Sequence, residues 1–97
     1  SGPFHSSKMA PAGEILAKVI NDVKFNEPIC PVICNFTGRQ EINGFQDLLV
    51  KQISNRVRWR ESILNAKEYG VTKAIEVGPG KVLTGLVKRI CPEIEMI

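Results

Sequence analysis

Long apolar runs are missing from this sequence. None approaches the roughly 20 residues a helix needs to cross a bilayer, which excludes a membrane-spanning helix from the reading. Blocks of like charge, low-complexity tracts and internal repeats are missing as well, so disorder is not expected. Net charge is only +3, without the concentrated positive charge of nucleic-acid binders. The opening residues Ser1-Gly2-Pro3-Phe4-His5 show no basic region followed by an apolar one, and no signal peptide is expected. No Gly-x-Ser-x-Gly elbow occurs, so the 97 residues hold no complete nucleophile system. Histidine is scarce, with His5 alone.

Cysteine is scarce too. The three are Cys30, Cys34 and Cys91, and an odd count without a signal peptide points to a reducing compartment, the cytoplasm. Cys30 and Cys34 fall in an expected strand, where four residues span about 13 Å, too far for a disulfide. No histidine lies nearby to complete a metal set, so buried thiols are expected and metal is not. Asn35-Phe36-Thr37 fits a glycosylation sequon that an intracellular chain leaves unused.

What is present is an ordinary globular composition, 43% hydrophobic and 24% charged, long enough for one small domain. A loop precedes a helix capped by Ser6 or Ser7, with Pro11 tolerable only near its first turn. Ala12, Ile15, Leu16, Val19, Ile20 and Val23 repeat at helical spacing. Residues 31–36 form a short apolar run, read as a buried strand, and 38–43 read as a polar turn. Helices are expected over about 44–54 and 59–69, the second ended by Gly70. A strand best seen in 73–77, a tight Gly78-Pro79-Gly80 turn and a helix over about 81–90 follow; the tail from Glu93 has no assignment. The alternation predicts an α/β fold, a parallel sheet with flanking helices. Two strands alone make a poor parallel sheet, which points to a partial domain.

Four features bear on chemistry. His5 just precedes a helix, a position that suits a neutral imidazole able to act as a base; spacing alone favours a structural or surface role. Gln52 lies seven residues after Phe45, four after Leu48 and three after Leu49, on the apolar stripe of its own helix. It is either a core amide bonded to backbone or a residue lining a site. Gly78-Pro79-Gly80-Lys81 follows a strand and opens a helix, as phosphate sites do. It matches neither the Walker A nor the dinucleotide pattern, so a structural turn is the better reading. Arg56, Arg58 and Arg60 cluster around Trp59, either as a solvated face with an anchoring tryptophan or as a surface for an acidic partner.

Together these segments resemble a known family. Gly2-Pro3-Phe4-His5-Ser6 with Met9 and Pro11-Ala12 is similar to the active-site histidine motif of malonyl-CoA:acyl carrier protein transacylases. The run from Pro31 to Gly38, Leu49-Val50-Lys51-Gln52 with Val57-Arg58-Trp59, and above all the segment from Glu76 to Leu86 resemble its later signatures in order. The last segment favours the free-standing bacterial type over synthase domains. Lys8 and Arg56 depart from the pattern, where an apolar residue and a proline are common.

The resemblance implies the C-terminal part of the large α/β-hydrolase-like subdomain of the acyltransferase fold. It implies that residues 1–97 form a partial domain, with the serine elbow, a malonate-binding arginine and a ferredoxin-like subdomain upstream of them. It implies malonyl transfer from coenzyme A to the phosphopantetheine thiol of acyl carrier protein in fatty acid biosynthesis, without a further cofactor. His5 matches the catalytic base, with its other ring nitrogen held by a backbone carbonyl near Gln52, whose segment lines the active site. Gly78, Pro79 and Gly80 become architecture, and Arg56, Arg58 and Arg60 a candidate grip on an acidic carrier protein. Without the serine the 97 residues alone are expected to be inactive. The alternatives are a small non-catalytic module that binds carrier protein, or one that binds phosphate at Gly78 to Lys81.

Overall fold

The computed structural model describes residues 2–97. A single 3-10 turn over Ser7–Met9 leads into α1 (Ala10–Ile20). Pro11 sits in the first turn of α1, where a missing amide hydrogen costs nothing because no partner waits for it. Only part of the apolar stripe of α1 is covered: Ile20 is buried and Leu16 half-buried, while Ile15 and Val19 are mostly exposed. Helix α2 (Phe45–Ser54) packs against α1 and the 3-10 turn, so the N-terminal segment and the end of α2 are neighbours.

The expected buried strand over 31–36 is shorter and differently paired. Strand β1 (Val32–Ile33) pairs antiparallel with β2 (Gln40–Glu41), Val32 opposite Glu41 and Ile33 opposite Gln40. The physical reason is the turn between them. Gly38 adopts φ 67°, and its amide returns to the Cys34 carbonyl at 2.8 Å, reversing the chain onto itself. A Cβ at Gly38 would lie 3.1 Å from the Glu61 Cβ and 3.3 Å from that of Arg58, so the position is also crowded by the start of α3.

Helix α3 (Trp59–Glu68) is followed by β3 (Lys73–Ala74), α4 (Val82–Ile90) and β4 (Glu95–Met96). The unassigned tail is thus a strand. It pairs parallel with β3, Lys73 opposite Glu95 and Ala74 opposite Met96, with α4 as the crossover. The fold is α/β, but its parallel pair is β3–β4; β1 and β3 belong to separate two-stranded sheets. The expected strand over 73–77 stops at Ala74 because β4 offers only two partners. Beyond it Ile75 and Val77 stand 66% and 91% exposed, and Val82 at the start of α4 73%.

The core lies under α4. Val87, Cys91 and Ile94 are buried, and Trp59, Ile63, Ala74, Ile90 and Met96 pack on them. Covering a Val or Ile side chain stabilises by roughly 1.5–3 kcal/mol relative to leaving it in water. Trp59 packs on this core and so anchors the start of α3. No helix among the described residues is long and apolar enough to cross a membrane.

Candidate active site

The site begins at the carbonyl end of α2. The last carbonyls of a helix lack intrahelical partners and take them from elsewhere. The Lys51 carbonyl accepts the Asn55 side-chain amide at 2.7 Å. The next two are taken by His5: its ring Nδ1 lies 2.7 Å from the Gln52 carbonyl oxygen, and its backbone amide donates to the Ile53 carbonyl at 3.0 Å. The sequence put His5 at the amide end of its own helix. Its ring instead lies against the carbonyl end of α2, because four residues separate it from Ala10 and the 3-10 turn intervenes.

His5 is the single non-glycine residue with positive φ among the described residues, at 61°. That conformation costs on the order of 1–3 kcal/mol, and the paired contacts with α2 hold it. Ser6 secures the same turn, its hydroxyl donating to the Pro3 carbonyl at 2.6 Å. A carbonyl oxygen only accepts, so Nδ1 carries the hydrogen in this contact. In the neutral ring Nε2 is then the free acceptor. The imidazole itself is exposed.

Gln52 contributes both ends. Its carbonyl holds His5, and its side-chain Oε1 accepts Asn35 Nδ2 at 3.2 Å. Asn35 and Gln52 also line a cleft of about 210 Å³ between β1 and α2, walled by Ile33, Cys34, Phe45, Leu48 and Leu49. Burial, with a smaller push from Glu41, raises the Cys34 thiol above its ordinary range, which keeps it protonated at neutral pH. Asn35 escaped the sequence reading as a site residue. The signal was available: a lone amide inside the apolar run Val32-Ile33-Cys34-Asn35-Phe36 needs a partner as much as Gln52 does.

Of the three clustered arginines, Arg58 is half-buried while Arg56 and Arg60 are exposed. Arg58 donates its Nε to the Phe36 carbonyl at 3.0 Å and its backbone amide to the Asn35 carbonyl at 2.9 Å. Arg56 and Arg58 share one Glu61 oxygen at 3.0 and 3.3 Å. Arg60 is exposed.

The Gly78-Pro79-Gly80 turn has φ of 130° at Gly78 and 78° at Gly80, which favours glycine at both. The amide end of α4 is already served by a carboxylate. Glu76 accepts the Thr84 amide and hydroxyl, each at 2.8 Å, and the Leu83 amide at 3.3 Å. The Thr84 backbone bond, then its hydroxyl, holds the Glu76 carboxyl below the usual range. A phosphate would have to displace a fixed anion there, so the structure does not favour the phosphate-binding alternative. The described residues contain no group of three metal-ligating side chains.

The chain is 43% identical over 98 residues to the malonyl CoA-acyl carrier protein transacylase of Synechocystis, covering 99% of this chain and 33% of that protein. A crystal structure of the Synechocystis transacylase superposes with a TM-score of 0.93 at 42% identity, over 100% of this chain and 34% of the other. The Escherichia coli transacylase is 45% identical over 92 residues, 93% of this chain and 30% of the relative. A malonyl-transacylase solved in complex with a type II polyketide acyl-carrier protein superposes with a TM-score of 0.91 at 38% identity, over 96% of this chain and 31% of that one. The chain spans about a third of the length of these relatives. No protein-family model matches it.

Proposed function

We propose, for a chain homologous over nearly its whole length to about a third of the malonyl CoA-acyl carrier protein transacylases, that it is the C-terminal, histidine-bearing part of such an enzyme. In this reading His5 is the general base for a serine contributed by the rest of the enzyme. The observation that carries it is the 2.7 Å contact between His5 Nδ1 and the Gln52 carbonyl. A backbone carbonyl does here what a carboxylate does in a triad: it fixes the tautomer that leaves Nε2 basic.

The reaction then follows. Nε2 takes the serine proton as the serine oxygen bonds to the malonyl carbonyl carbon. The tetrahedral intermediate collapses, the carbon–sulfur bond to coenzyme A breaks, and the imidazolium returns the proton to the departing thiolate. The second half runs in reverse: Nε2 takes the proton of the carrier protein's phosphopantetheine thiol, the sulfur attacks the malonyl ester, and the proton goes back to serine. Backbone N–H groups hold each oxyanion. No metal or further cofactor is required, since malonyl-CoA and the carrier are both substrates. The setting is cytoplasmic fatty acid or polyketide synthesis.

The exposed Arg60 is the more available cation for an acidic carrier protein, since Arg58 is engaged by the Phe36 carbonyl and Glu61 and Arg56 shares the same Glu61 oxygen. The 97 residues alone should transfer no malonyl group, because the covalent step has no nucleophile. The test is a chimera in which this chain replaces the corresponding third of the Escherichia coli transacylase. Malonyl transfer by the chimera and none by the chain alone is the expected result. Serine-independent turnover by the pure chain, or a folded but inert chimera, would overturn the reading.

A further inference from the structure

We infer that Asn35 is a positioning residue for His5, acting through the side chain of Gln52. The inference rests on the reading of His5 as a base and deepens it. Four observations carry it. First, Asn35 is rigidly placed. Its own carbonyl accepts the Arg58 amide at 2.9 Å, the following Phe36 carbonyl accepts Arg58 Nε at 3.0 Å, and Cys34 before it is bonded on both its amide and its carbonyl within the β1–β2 turn. Second, this anchored residue donates Nδ2 to Gln52 Oε1 at 3.2 Å. Third, Gln52 lies in the last turn of α2, where helices fray. The next carbonyl after its own leads back to His5, whereas the bond from Asn35 ties the turn to the β1–β2 hairpin independently of His5. Fourth, both amides sit where the surrounding pattern is apolar, and each supplies the other with a polar partner.

The consequence is a relay. The hairpin turn and the start of α3 hold Asn35, Asn35 holds the final turn of α2, and that turn presents the acceptor that keeps hydrogen on His5 Nδ1. Lys51, whose Nζ lies 5.5 Å from the Phe36 ring centroid, adds a second and weaker tie between the same two elements. Without the Asn35 bond the Gln52 carbonyl is free to drift from the imidazole, and hydrogen redistributes between the two ring nitrogens.

One histidine in 97 residues makes the measurement direct. Long-range proton–nitrogen NMR of the labelled full chain reports both imidazole nitrogens of His5 without ambiguity. The wild-type chain should show one bare and one hydrogen-bearing nitrogen. In Asn35→Leu the two resonances should converge as tautomers mix, while the backbone amide spectrum stays dispersed. Gln52→Met, which keeps the main-chain carbonyl, should have the same effect, and the double variant should be no worse than either. Asn35→Asp should restore the wild-type pattern, because the Gln52 amide can turn to donate its NH₂ to the carboxylate. If Asn35→Leu fails to fold, Gln52→Met alone carries the test. An unchanged pattern in these variants, or effects that simply add, would overturn the positioning role while leaving His5 as base. Mixed tautomers in the wild-type chain would instead overturn the reading of His5 itself.

Discussion

The ring of His5 is held 2.7 Å from the main-chain oxygen of Gln52, a residue 47 positions further along the chain. Two elements that spacing alone does not link are thus joined where the imidazole is oriented. The left-handed backbone at His5 places its amide and its ring on successive carbonyls of α2.

The arginines divide by what they touch. Arg58→Ala should destabilise by about 1–2 kcal/mol, since it removes a charge-assisted bond to the Phe36 carbonyl that holds the hairpin against α3. Arg56→Ala, whose side chain is 66% exposed, should cost no more than about 0.5 kcal/mol. Urea denaturation of both variants checks this; equal losses would mean that Arg58 has no special structural part.

Glu76 sets a pH dependence. Its folded carboxyl is held below the unfolded value of about 4.3 by bonds from Thr84, first its amide and then its hydroxyl. Its stabilisation is therefore fully present above the unfolded value and lost as pH falls through the lower, folded one. Glu76→Gln lacks that contribution at every pH. Thermal unfolding should show a gap between wild type and Glu76→Gln at pH 7 that narrows toward pH 3, and a constant gap would contradict the carboxylate's role.

The cysteines should react in a fixed order. Cys30 is exposed, Cys34 half-buried and Cys91 1% exposed. Cys91 donates to Glu93 at 2.9 Å; that bond, then burial, raises its thiol, so little thiolate forms at neutral pH. Alkylation of the native chain followed by peptide mass spectrometry should find Cys30 first and Cys91 last. Early labelling of Cys91 would mean that the core under α4 opens readily.

The helices were legible because their apolar periodicity and their stops at Gly70 and Pro92 are local properties. The sheets were less so. Val32–Ile33 reads equally as a parallel core strand or a hairpin arm, and only the reversal at Gly38 decides it. The strand Glu95–Met96 carries no pattern of its own and exists because α4 returns the chain beside β3. Gln52 stood out as a polar residue on an apolar stripe, but its partner Asn35 lies 17 positions away across a turn. Glu76 likewise serves a helix that begins after five intervening residues, a contact that spacing does not announce.

The central claim concerns His5, and the most direct measurement is single-turnover malonyl transfer in the Escherichia coli chimera with and without His5→Ala. A general base contributes about 10²–10⁴-fold. In His5→Ala the rate of malonyl-serine formation should fall by that amount, with malonyl-CoA binding unchanged. A rate within threefold of the unsubstituted chimera would contradict it and return His5 to a purely structural cap of α2.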